Sequence, residues 1–250
     1  MPSDGDPRTR PIGVFDSGVG GLTVLHELLV ALPHENFLYL GDTARFPYGT
    51  RPAAELEAFS MDVAGALLAR RAKMIVVACN SATAAALPDL QREFEVPLIG
   101  VITPEAHAAV QVTRNRHIGV MATEATVCSF RYPAAIALLD AGVAVTQVAC
   151  PDLVPLIQAG DTHGEELHEA AKRYAEPLKE AAVDTVILGC THYPLIRPML
   201  QRIFGRDVIL ITSAEEIARE VGDTLERRGV GNQPGREGEY PTWCLALTGP

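Results

Sequence analysis

Five cysteines, at positions 79, 128, 150, 190 and 244, show no regular spacing and no C-x-x-C pair. The chain therefore carries no disulfide framework and none of the common zinc or thioredoxin-type patterns. No apolar run is long enough to span a bilayer and no signal-peptide pattern is present, so the chain reads as a cytoplasmic protein with reduced thiols and no membrane association. No basic cluster offsets a net charge of −10. That argues against direct nucleic-acid binding, although a local field can still favour an anionic small molecule. There is no P-loop lysine, and no G-x-G-x-x-G follows a strand, so a nucleotide cofactor is not indicated. The composition, 48% apolar and 21% charged, is that of an ordinary soluble globular protein. Its 250 residues suffice for one large domain or two small ones.

What is present is organised around Lys73 to Thr83, K-M-I-V-V-A-C-N-S-A-T. Met74 to Ala78 reads as a buried strand, and Asn80 and Ser81 read as N-cap residues of the Ala-rich helix that follows. Cys79 then lies at the carboxyl end of a strand and the amino end of a helix, where open parallel sheets bind ligands. The helix dipole there is expected to favour the thiolate. The pattern recurs at Thr185 to Gly189, followed by Cys190-Thr191-His192-Tyr193-Pro194, with the two cysteines 111 residues apart. Arg10-Pro11-Ile12-Gly13-Val14 likewise returns as Arg116-His117-Ile118-Gly119-Val120, 106 residues on. These echoes point to a duplicated α/β unit.

The remaining segments fit two such units. Strands are expected at Ile12 to Phe15, Asn36 to Leu40, Val96 to Ile102, Ile118 to Met121, Ala144 to Ala149, Ile209 to Ile211 and Trp243 to Leu247, and helices at about Leu22 to Leu32, Glu55 to Ala72, Glu165 to Ala182 (interrupted by Pro177) and from a Ser213 cap to about Arg228. Thr103-Pro104 marks a crossing between halves. The expected fold is α/β, two similar domains with mainly parallel sheets, related by a pseudo-twofold, with the active site in the cleft between them. The expected boundaries are a disordered leader over 1–10, a first domain from 11–102 plus 212–250, and a second from 103–211.

Taken singly, any of these cysteines reads more readily as core than as catalyst, and Cys128, Cys150 and Cys244 are read as core or incidental. Cys79 and Cys190 differ in position. With His192 they form an incomplete zinc set; a redox disulfide would lack the usual motif; a cysteine hydrolase would leave one thiol idle. Two opposed thiols suit stereoinversion at a carbon bearing an acidic hydrogen, one removing a proton and the other delivering one, with Asp16 and His192 as acid/base neighbours.

Five stretches then converge: Asp16-Ser17-Gly18-Val19-Gly20-Gly21-Leu22-Thr23-Val24, Gly41-Asp42-Thr43-Ala44-Arg45, Pro47-Tyr48-Gly49, Ala78-Cys79-Asn80 and Gly189-Cys190-Thr191-His192-Tyr193-Pro194-Leu195. In content and order they resemble the glutamate racemases of the aspartate/glutamate racemase superfamily. The resemblance implies interconversion of L- and D-glutamate without cofactor or metal, supplying D-glutamate for peptidoglycan. It implies Cys79 and Cys190 as the two bases, and substrate contacts from Asp16, Ser17, Tyr48, Gly49, Asn80, Ser81, Thr123, Thr126, Thr191 and His192. It implies a homodimer, and by family analogy alone an interaction with gyrase. Aspartate or hydantoin racemisation is the alternative within the same logic, and a binding or regulatory protein the alternative outside it. Position 81 is Ser where the family more often has Thr, and position 158 is Gln where many members carry an assisting Glu. Gln cannot exchange a proton and can only orient.

Overall fold

A computed structural model describes residues 6–212, 214–232, 238–240 and 242–244. They fall into two compact units, Met1–Val101 with Ala214–Pro250, and Ile102–Ser213. In the first unit the chain runs β1 (Ile12–Asp16), α1 (Leu22–Ala31), β2 (Phe37–Gly41), α2 (Ala53–Ala69), β3 (Met74–Val77), α3 (Asn80–Glu93) and β4 (Leu98–Gly100). The second unit follows as α4 (Ile102–Val112), β5 (His117–Ala122), α5 (Glu124–Cys128), α6 (Arg131–Leu139), β6 (Ala144–Ala149), α7 (Leu153–Gln158), α8 (Glu165–Glu180), β7 (Thr185–Gly189), α9 (Arg197–Phe204) and β8 (Ile209–Ile211). The chain then returns to the first unit as α10 (Ala214–Arg228) and β9 (Thr242–Cys244).

Among the described residues every strand pair is parallel. Read from one edge, the first sheet is β4-β3-β1-β2-β9 and the second β8-β7-β5-β6. The four-strand order is therefore the same in both units, as the sequence echoes implied. β1, β2, β3 and β7 are buried along their whole length, which is why they read as unbroken apolar runs rather than alternating ones. The strand order reverses between β1 and β3, and again between β5 and β7. Ligands of open parallel sheets sit outside the carboxyl ends of the strands at such switch points, and Cys79 and Cys190 follow β3 and β7.

The recurring R-x-I-G-V has a packing cause. A Cβ on Gly13 would lie 3.0 Å from Leu67 Cδ1 and 3.3 Å from Ala72 Cβ, and one on Gly119 would lie 3.2 Å from Leu178 and 3.2 Å from Val183. Leu67 and Leu178 are 111 residues apart, as are Ala72 and Val183. In each unit the glycine makes room for the helix that leads into the cysteine-bearing strand. Arg71 and Ala182, again 111 apart, both take left-handed φ, 64° and 51°, to turn the chain out of that helix.

The residue just before the cysteine-bearing strand differs in charge between the units. In the first it is Lys73, whose Nζ donates to Glu35 Oε2 at 2.5 Å, Arg8 O at 2.5 Å and Val230 O at 3.0 Å. Lys73 and Glu35 are only 8% and 5% exposed, and Glu35 Oε1 accepts the Asn232 N–H at 2.6 Å. Burial lowers the Lys73 pKa, with the Glu35 carboxylate opposing. In the second unit the position holds Asp184, which accepts from the Thr113 hydroxyl at 2.7 Å and from the Arg114 and Asn115 amides at 2.6 and 2.8 Å. Partial burial would raise its pKa, but these donors outweigh burial and hold it below the usual carboxylate value.

Several expectations need correction. Within the leader, Pro7–Thr9 is a 3-10 turn capped by Asp6 and fastened through Arg8 O to Lys73, not a disordered stretch; residues 1–5 lie outside the described set. Val96 to Ile102 is not one strand: β4 has three residues, and Thr103-Pro104 begins α4 rather than an extended crossing. Pro104 is tolerated because the first helical turn has no partner for its N–H groups in any case. Pro177 does not interrupt α8, since it gives up only its own donor and its carbonyl still accepts from Ala181. Of the last expected strand, Trp243 and Cys244 belong to β9, which pairs with β2; residues 245–247 lie outside the described set, as does the expected cap Ser213.

Candidate active site

In the first unit the ends of β1, β2 and β3 gather Asp16, Ser17, Asp42, Cys79, Asn80 and Ser81, all buried. Asp16 ends β1 and its Oδ2 accepts the Gly18 N–H at 3.0 Å. A Cβ on Gly21 would meet Asp16 Cβ at 2.5 Å, so the glycine run exists partly to admit this carboxylate. Cys79 is itself the N-cap of α3, and Asn80 and Ser81 are its first helical residues rather than its caps.

The Cys79 thiol is 5% exposed, and its pKa is pushed up to about 12. Burial is the main cause and the Asp16 charge adds to it; the Ala82 amide and the Ser17 hydroxyl and amide pull the other way. The expected depression by the helix terminus is thus overturned: desolvation of the charged form wins over the dipole.

Tyr48 is buried beside this group. Its pKa is raised, first by burial, then by Asp42 and Cys79. Its hydroxyl donates to Asp42 Oδ2 at 2.5 Å, and the Arg45 Nε donates to the same oxygen at 2.5 Å. Arg45 also reaches Asp62 at 2.7 Å and lies 4.4 Å over the Phe59 ring, which packs 5.6 Å from Tyr48. The turn carrying Gly49 is therefore pinned by an aromatic and by a buried carboxylate whose other oxygen, Oδ1, has no partner among the described residues. Asp42 and Arg45 belong to the Gly41–Arg45 stretch, whose sequence alone does not reveal this linkage to Tyr48.

In the second unit Thr123 follows β5 and caps α5: its Oγ1 accepts from the Thr126 amide at 3.4 Å and lies 3.0 Å from the Thr126 hydroxyl. Cys190 follows β7 and is 8% exposed. Its Sγ lies 3.9 Å from His192 Nδ1, and Thr191 and His192 are buried beside it. No α-helix begins at Cys190; a 3-10 turn at Tyr193–Ile196 comes first. The two thiols therefore sit in different local settings despite equivalent places in the sheet order. Cys150, buried after β6 with its pKa pushed up to about 12 mainly by burial, stays a core residue, and Cys128 is exposed. Gln158 ends α7 and is exposed.

Among the described residues no group of three or more His, Cys, Asp or Glu side chains is placed to hold a metal ion, and no helix is long and apolar enough to cross a membrane.

Comparison with known proteins narrows the chemistry. Residues 18–221 match the model of the Asp/Glu/Hydantoin racemase family. The glutamate racemase of Geobacter metallireducens is 47% identical over 216 residues, 86% of this chain and 80% of that protein. A crystal structure of a glutamate racemase isoform from Bacillus anthracis superposes with a TM-score of 0.90 at 39% identity, covering 95% of this chain and 89% of the other. The glutamate racemase of Francisella tularensis, crystallised with D-glutamate, gives a TM-score of 0.89 at 33% identity, covering 96% and 90%.

Proposed function

The chain belongs to the Asp/Glu/Hydantoin racemase family and is an amino-acid racemase, and from that premise we propose that it interconverts L- and D-glutamate by a two-thiol mechanism without cofactor. The observation that carries the reading is the pair of strand-end cysteines, each with an ionisable neighbour in its own unit: Asp16 acting on Cys79 and His192 Nδ1 3.9 Å from Cys190. In the L-to-D direction the Cys190 thiolate takes the α-proton and the Cys79 thiol delivers its own proton to the opposite face; the reverse direction exchanges the roles. Each turnover leaves the enzyme with the thiol and thiolate interchanged, and proton exchange with solvent resets them.

The ionisation of Cys79 fits this division. Burial and the Asp16 charge push the Cys79 pKa well above neutrality, so the free enzyme holds Cys79 as the protonated thiol. Acting as base on D-glutamate requires a lower pKa, and the substrate's ammonium group supplies the opposite charge that lowers it. Ser17, Tyr48, Gly49, Asn80 and Ser81 from the first unit, and Thr123, Thr126 and Thr191 from the second, are proposed to bind the substrate, with Asp16 and His192 both contacting it and assisting their thiols. Exposed Gln158 takes no proton, so His192 assists Cys190 alone. The enzyme is proposed to act in the cytoplasm as a homodimer, supplying D-glutamate for peptidoglycan.

Protein dialysed exhaustively against a chelator is expected to carry either enantiomer of glutamate to an equal mixture, followed by circular dichroism or chiral chromatography. Activity returning only with pyridoxal phosphate, flavin or metal would overturn the cofactor-independent reading, and turnover of aspartate in preference to glutamate would overturn the substrate.

In heavy water the early product is expected to carry solvent deuterium at the α-carbon while the remaining substrate carries little, because the base that removes the proton does not return one to the same face. Equal early label in both would point to a single base.

A further inference from the structure

We propose that Glu105 and Tyr132, buried side chains outside the machinery described above, are positioning residues that fix the Cys190 thiol. Tyr132 on α6 and Glu105 on α4 are both fully buried, and the Tyr132 hydroxyl donates a hydrogen bond to Glu105 Oε2. The Tyr132 ring edge lies against Gly189: a Cβ built there would stand 3.1 Å from Tyr132 Cε2, with Ala122 Cβ and Met121 O at 3.2 Å on the β5 side. The last residue before Cys190 is thus held between the tyrosine ring and the neighbouring strand, where a larger side chain would force its neighbours to give way. α4 packs on both α6 and β7, so the carboxylate that fixes the ring belongs to an element in direct contact with the strand it steadies.

A leucine and a phenylalanine could fill the same interior without the cost of burying a carboxyl group. What the polar pair adds is direction, one hydroxyl aimed at one oxygen. A proton-transferring thiol needs that fixity, because an error of an ångström at a reacting group can cost ~10^2-fold in rate.

The inference rests on the two-thiol reading, and its test separates the two. Tyr132→Phe keeps the ring and removes the hydroxyl; Tyr132→Phe with Glu105→Leu also removes the buried carboxylate; Glu105→Gln keeps an acceptor. Two readouts are taken: kinetics with α-deuterated L- and D-glutamate, and the rates at which iodoacetamide alkylates Cys190 and Cys79, mapped by peptide mass spectrometry. In the first two variants kcat is expected to fall about tenfold, with the isotope effect rising for L-glutamate, the enantiomer assigned to Cys190, and not for D-glutamate. Cys190 alkylation is expected to change about threefold or more while Cys79 alkylation does not. Glu105→Gln is expected to stay close to wild type in both.

Wild-type behaviour in the first two variants, a loss of active enzyme that leaves both isotope effects unchanged, or equal changes at both thiols would each overturn the proposal. If the wild-type protein fails to racemise glutamate, the functional reading falls, and the alkylation arm still decides whether Tyr132 and Glu105 hold Cys190.

Discussion

Cys79→Ala and Cys190→Ala are each expected to abolish racemisation, lowering kcat/KM by about 10^3-fold or more, the order lost with an essential general acid or base. The equilibrium constant between enantiomers is unity, so kcat/KM must fall equally in both directions and cannot say which thiol serves which enantiomer. Hydrogen exchange can. With Cys79 gone, Cys190 can still remove the α-proton of L-glutamate and return a deuteron to the same face, so in heavy water label is expected to enter L-glutamate and not D-glutamate. With Cys190 gone the pattern reverses. Both variants should remain folded, since removing one sulfur from a strand end leaves only a small void. Either variant racemising at near wild-type rate would end the two-thiol mechanism, and label entering the opposite enantiomer in each would reverse the assignment.

Lys73→Met is expected to cost about 3–5 kcal/mol of stability, the usual penalty for stranding one partner of a buried ion pair. Glu35 would be left 5% exposed without its cation, and Arg8 O and Val230 O would each lose a donor. At ~2–4 °C per kcal/mol for a protein of this size the unfolding midpoint should drop by about 10 °C. Replacing Glu35 with Leu in the same chain should recover much of the loss, because both charges then leave the interior together. Denaturant unfolding that placed Lys73→Met within about 0.5 kcal/mol of wild type, as for an exposed side chain, would show that the pair contributes nothing to the fold.

Much of this molecule is legible in its sequence because its strands are short and most are apolar, with β1, β2, β3 and β7 buried along their whole length. β6, β7 and β8 lie where the apolar runs placed them, and the echo of R-x-I-G-V marks a real packing constraint on Gly13 and Gly119. Sequence and structure part where local signals conflict. Val96 to Ile102 looks continuous by composition, yet the strand stops at Gly100, where a Cβ would come within 2.5 Å of Thr83, a contact with α3 that local pattern does not encode. Pro104 reads as a break and is in fact a first-turn residue.

At the site, the residue types were readable but not their electrostatics. The sequence places Cys79 at a helix terminus and predicts an acidified thiol; only folding brings burial and Asp16 together against it. Lys73 meets Glu35 and Val230 across 38 and 157 residues, and Tyr132 meets Glu105 across 27, so nothing in the local sequence announces these contacts.

The order in which the chain is synthesised gives the interleaved architecture a consequence of its own. The second unit is a single continuous stretch, Ile102–Ser213, whereas the first is completed only by α10 and β9. On the ribosome, therefore, the second unit can close its core while the first still waits with the outer edge of β2 unpaired and the Lys73 anchor short of Val230. An open parallel-strand edge in a half-made domain is a site for wrong pairing with other nascent chains. Arrival of α10 and β9 completes the first unit, and β9 covers that edge.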